Sequence, residues 1–117
     1  MIGDAALANP PSSNNDTVPL LKKFLTFGSG PGKDEKGTYT AIVLYHESAG
    51  NALANVSLLK QRIETSSSIL YNTPWKEKIT GTDIRAEGHM LLAKLYTSRL
   101  FWATWIYAQD NLFRHEE

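Results

Sequence analysis

Cysteine is missing altogether from this 117-residue chain, which removes disulfides, thiolate nucleophiles, iron–sulfur clusters and cysteine-ligated zinc. An excess of either charge is missing too, because 12 basic and 12 acidic residues cancel to a formal net charge of zero. Nucleic-acid binders usually carry surplus basic charge to neutralise phosphates, so nucleic acid is disfavoured as a partner. Nor is there a long uncharged apolar run. The least charged stretch, residues 90–108, contains Lys94 and Arg99, and the uncharged remainder beyond Arg99 is too short to cross a bilayer. A membrane span is therefore not expected. Residues 1–17 lack a basic region followed by an apolar one, so no secretory leader is expected, and an intracellular, cytoplasmic location is the default.

Catalytic signatures are equally scarce. His46-Glu47 is followed by Ser48, Ala49 and Gly50, so the His-Glu-x-x-His zinc motif is absent. There is no Gly-x-Ser-x-Gly elbow. The glycine-rich residues 28–37 (GSGPGKDEKG) suggest a phosphate loop, but Phe27 and Asp34 occupy positions where that motif needs glycine and Ser or Thr. A flexible surface linker is the better reading. No catalytic residue, metal or cofactor is assigned. His46, Glu47 and His89, with Trp75, form a weak ligand-binding set, and only if groups from two subunits converge. On a hairpin of helices folded about Pro74, His46 falls opposite Ala103 and His89 near Lys60, which disperses the histidines within one chain. Asn15-Asp16-Thr17 and Asn55-Val56-Ser57 match the glycosylation tripeptide, a chance occurrence without secretion.

What is present is apolar periodicity in a chain that is 42% hydrophobic and 21% charged, the composition of a globular domain. Residues 1–16, rich in Pro, Ser and Asn, read as a disordered tail. The remainder, 17–117, reads as a single helical domain. Leu20, Leu21, Phe24 and Phe27 share one side of a short N-terminal helix. Ile42, Tyr45, Ala49, Ala52, Val56, Leu59 and Ile63 recur at alternating spacings of three and four, which predicts a long helix over about 40–66. From Ser48, a candidate N-cap, the helix is the only reading. Residues 38–46 are also β-branched and aromatic, so an α+β alternative makes them a strand.

A second long helix is predicted over about 83–113, from Ile84, Leu91, Leu95, Trp102, Trp105 and Leu112. The expected fold is thus mainly α, a small hairpin or bundle of two long helices and one short one. The second helix is apolar on three sides, more than one small chain can cover. Leu95, Phe101, Trp102, Trp105, Ile106 and Leu112 are therefore the expected interface of a homodimer or of a subunit bound to another protein. The functional expectation is a non-catalytic, self-associating protein, with a small-molecule binder or enzyme whose pocket forms between subunits as the alternative.

Overall fold

Side chains two residues apart share one side of a strand, and that period governs most of the chain. Thr40, Ile42 and Leu44 are buried while Val43 and Tyr45 between them are exposed. Leu91, Ala93 and Leu95 repeat the pattern on a later segment. The computed structural model describes residues 19–97, 107 and 111–117. Its main sheet contains β1 (Thr26–Asp34), β2 (Gly37–Tyr45), β5 (Gly81–Glu87) and β6 (Met90–Tyr96). The strand order is β1-β2-β6-β5, with every neighbouring pair antiparallel. Helix α1 (Ala49–Thr65) connects the two hairpins. A small third hairpin, β3 (Ser67–Ser68) with β4 (Thr73–Pro74), and a single helical turn, α2 (Trp75–Lys78), come after it.

This α+β architecture overturns the helical bundle. Residues 37–45 are a strand rather than the start of a helix over 40–66. Within 83–113, residues 83–96 belong to the β5–β6 hairpin. The turn at Gly88-His89 explains that switch, since Gly88 has φ of 59°, a conformation that costs glycine little and suits a two-residue hairpin loop. The N-terminal helix is absent, as residues 20–25 are irregular and 26–34 are β1. The expected linker at 28–37 is mostly β1 with its hairpin turn. The helix expected from Ser48 onward is present, with the Ser48 side chain accepting from Asn51 N–H at 3.1 Å. The tail 1–16 and the interface candidates Phe101, Trp102, Trp105 and Ile106 lie outside the described residues.

Helix α1 covers one side of the sheet. Its buried positions are Ala52, Asn55, Leu59, Arg62 and Ile63, spaced as one helical face. They join Ile42, Leu44, Ile84, Leu91 and Leu95 from the sheet, Trp75 and Ile79 from α2, and Leu21, Tyr107, Leu112 and Phe113 from the two ends. The ends are neighbours: Leu21 N–H donates to Arg114 C=O at 3.1 Å, and Glu116 N–H donates to Leu21 C=O at 2.9 Å.

Arg62 ties these pieces together. Its guanidinium is buried and donates to three backbone carbonyls, Nε to Leu112 at 3.0 Å, Nη1 to Pro19 at 2.8 Å and Nη2 to Asn111 at 2.8 Å. Burial, and to a lesser degree the charge of Arg114, lowers its pKa, yet a guanidinium remains protonated. Replacing Arg62 by Met should lower unfolding stability by about 3 kcal/mol, because two buried carbonyls and one part-buried one lose a charged donor. Arg62→Lys should recover only part of that loss. Urea unfolding measures both, and a Met variant as stable as the parent would mean that packing alone holds the ends.

Candidate interaction face

With α1 on one side of the sheet, the other side is the broad surface left open among the described residues. Strand register sets its side chains in four rows across β1, β2, β6 and β5. They are Gly32–Tyr39–Tyr96–Gly81, Gly30–Ala41–Lys94–Asp83, Gly28–Val43–Leu92–Arg85 and Thr26–Tyr45–Met90–Glu87. Along the strands, the β1 column is almost bare backbone, and the β2 and β6 columns form an apolar ridge interrupted by Lys94. The β5 column is a charged rim. Val43 is 39% exposed, Tyr45 46% and Met90 36%. Leu92 and Ala41 are half-buried between them.

One corner of this face is built. The outer edge of the Tyr39 ring occupies the space that a Cβ at Gly32 would need, so any larger residue there would displace the ring. Tyr39 meets Tyr96 edge to face, with ring centroids 5.5 Å apart, and Lys94 Nζ sits 4.9 Å from the Tyr39 centroid. Asp34, at the end of β1, accepts from Tyr96 Oη at 2.7 Å and from Lys94 Nζ at 3.1 Å. Gly28 and Gly30 differ from Gly32: a Cβ at either would meet nothing within 4 Å. Among the described residues no contact requires glycine at those two places.

The corner titrates at both ends of the pH scale. The Tyr96 hydroxyl, helped by Lys36 N–H and Lys94, holds the Asp34 carboxyl down from 3.8 to about 2, against the opposing effect of burial. The same hydrogen bond, with burial, pushes Tyr96 up from 10.0 to about 12. A depressed carboxyl contributes stability above its ordinary value and loses it as pH falls through the folded one. A raised phenol contributes below its ordinary value and loses that as pH climbs. The tie between β1 and β6 is therefore whole from 3.8 to 10.0, fading towards about 2 and about 12. Asp34→Asn should flatten the acid limb of the stability curve between 3.8 and about 2, measured by urea midpoints at stepped pH. An unchanged limb would remove Asp34 from the acid response.

The ligand-binding candidates from the sequence are brought together only in part. His46 and His89 are neighbours, not dispersed. His46 Nδ1 donates to His89 C=O at 2.9 Å, and His89 Nδ1 donates to His46 C=O at 3.2 Å. Each ring is bonded through Nδ1 to the other residue's backbone. His46 is also fully buried, and its Nε2 accepts from Asn55 Nδ2 at 2.9 Å. Both its nitrogens are thereby engaged, which fixes the Nδ1–H tautomer. Asn55 completes the network, accepting from Lys22 N–H at 2.6 Å and donating to Lys22 C=O at 3.1 Å. That use of the side chain closes the second glycosylation tripeptide in the folded chain. Glu47 is exposed, and Trp75 is fully buried in the core. Of the expected interface residues, Leu95 and Leu112 have no exposed surface and pack within the chain's own core. Among the described residues no group of three His, Asp or Glu side chains is placed to hold a metal ion.

Sequence reasoning missed the open face because its pattern exists only once β2 is paired with β6. It also missed Asn55 and Arg62, which stand on the buried side of α1 as polar residues. Compared with known proteins, the chain matches no family model, no curated protein and no solved structure.

Truncating Asn55 to Ala strands the Lys22 backbone pair and His46 Nε2 and should cost about 2 kcal/mol. Thermal unfolding together with the His46 ring resonances checks this, and an unmoved ring would show that Asn55 does not set its tautomer.

Proposed function

We propose that this is a non-catalytic assembly module that pairs with a second copy of itself through the open face of its sheet. The observation that carries the reading is the apolar ridge of Val43, Tyr45, Leu92 and Met90 on the side opposite α1. Antiparallel sheets commonly leave one face to water, but such faces alternate to polar residues. This ridge does not.

Shape and charge favour a second copy as the occupant. A two-fold axis parallel to the strands would set the bare β1 column of one copy against the tall β5 column of the other. Arg85 would then lie over the Gly28 backbone, where the chain leaves open space. Val43 would meet the second copy's Leu92, and Tyr45 the second copy's Met90. Glycine inside a strand commonly marks a place where another backbone or ligand approaches closely, which gives Gly28 and Gly30 a purpose. Arg85 and Glu87 of the rim are ion-paired with each other at 2.9 Å, and the facing β1 column of Gly32, Gly30, Gly28 and Thr26 carries no charge, so no like charges are brought together.

Area sets the strength. Four strands of seven residues cover roughly 15–20 Å by 20–25 Å, below the roughly 800 Å² per partner of standard interfaces. A weak dimer is the consequence, with a dissociation constant on the order of 10–100 µM. Light scattering coupled to size exclusion over a concentration series should show mass rising from monomer to dimer. The double variant Val43→Asp, Leu92→Asp should stay monomeric with an unchanged circular dichroism spectrum. A parent that remains monomeric throughout, or a variant that still dimerises, overturns the reading.

A further inference from the structure

A cleft of about 650 Å³ opens on the other side of the molecule, where residues 24–27 meet the C-terminal segment. Its volume falls within the roughly 300–1,000 Å³ of small-molecule sites. Phe24, Phe27 and Phe113 form its aromatic wall, with Phe27 and Phe113 edge to face at 5.1 Å. Across from them stand Ile69 and Leu70, at the tip between β3 and β4. They are 56% and 48% exposed, a costly placement for two consecutive aliphatic side chains unless something covers them.

The polar groups of the cleft are few and uneven. Arg114 and His115 lie on its rim with Glu117 as the opposing charge. His115 is committed, its ring 3.9 Å from that of Phe24 and its Nδ1 donating to Phe113 C=O. Arg114 is exposed and makes no ion pair among the described residues. The buried Arg62 guanidinium is close enough for the two charges to repel. Arg114 and Glu117 are the charges on the lining, and Arg62 lies buried beside Arg114 with its donors turned to backbone carbonyls, so Arg114 is the cation left to meet an acid. Deeper in, Tyr107 lines the wall, and its buried phenol has no hydrogen-bond partner among the described residues.

We infer that the cleft binds an anionic amphiphile, its apolar body between the phenylalanines and Ile69-Leu70 and its acidic group at Arg114. This site is separate from the open sheet face and does not depend on pairing there. Dodecanoate below its micellar concentration is the probe, titrated calorimetrically into the full-length protein, with dodecyltrimethylammonium as a control of equal chain length and opposite charge. The expected result is saturable one-to-one binding of dodecanoate, at least about tenfold tighter than the cation. Arg114→Gln should weaken it about tenfold, the worth of one charge-assisted contact. Leu70→Asp, at an already exposed position, should weaken it at least as much while the circular dichroism spectrum stays unchanged. Absence of saturable binding overturns the inference. Equal affinity for the two amphiphiles overturns recognition of the acid. Binding that survives Leu70→Asp but is lost in Val43→Asp, Leu92→Asp would place the probe on the open face and overturn the site.

Discussion

The buried Arg62 guanidinium is the constraint on which the arrangement of the chain depends. Removing a cation from water costs several kcal/mol unless fixed dipoles replace the lost hydration. Here the dipoles are carbonyls of Pro19, Asn111 and Leu112, which come from segments on either side of the sheet sequence. None is in a helix or strand ladder that would otherwise use it, so the arginine and the carbonyls satisfy one another. The fork geometry of the guanidinium suits three separated acceptors in a way that a compact ammonium does not. Once α1 is anchored to the sheet through Leu59 and Ile63, the position of Arg62 dictates where both end segments run. Those segments in turn form one wall of the cleft.

A second polar tie works on the same principle at the other end of α1. Asn55 reads the Lys22 backbone as a strand neighbour would, accepting its N–H and donating to its C=O. Its remaining amide hydrogen goes to His46. The helix therefore carries two polar side chains on its packing face, which take the place of backbone partners at Pro19 and Lys22. This explains how an irregular stretch can hold Leu21 in the core.

The sequence made α1 legible from Ser48 onward because its evidence is local: a capping side chain, a run of helix formers and a 3.6-residue period. The hairpin at 81–96 was not legible for the converse reason. Ile84, Leu91 and Leu95 satisfy both a helical template and a strand template, and Arg85, Ala86, Glu87, Leu91, Leu92, Ala93 and Lys94 are good or tolerable helix formers. Gly88 and the inward set Leu91, Ala93 and Leu95 were the available signals for the strand. The expectation failed by treating glycine as a small position on a helix face. Residues 28–37 misled differently. Gly28, Gly30, Pro31 and Gly32 carry little strand propensity, but β1 is an edge strand, where proline need not donate to a ladder. Of the candidate face, the strand alternative for 38–46 exposed half. The other half waited on β6 being its neighbour, which no local pattern encodes.

The pairing of His46 with His89 shows why adjacency alone is a poor guide to chemistry. A general acid or base needs a ring nitrogen free to face the reacting atom. His46 spends one nitrogen on a carbonyl and the other on an amide, and its burial bars approach from solvent. What the pair does is close the sheet end: His46 N–H and Nδ1–H both donate to His89 C=O, and His89 Nδ1–H returns to His46 C=O. These bonds extend the β2–β6 ladder one step beyond Tyr45 and Met90, the last paired residues. The histidines thus hold in register the two strands whose outer side chains, Val43, Tyr45, Leu92 and Met90, make the ridge. A ring displaced from this lock would slip the ridge.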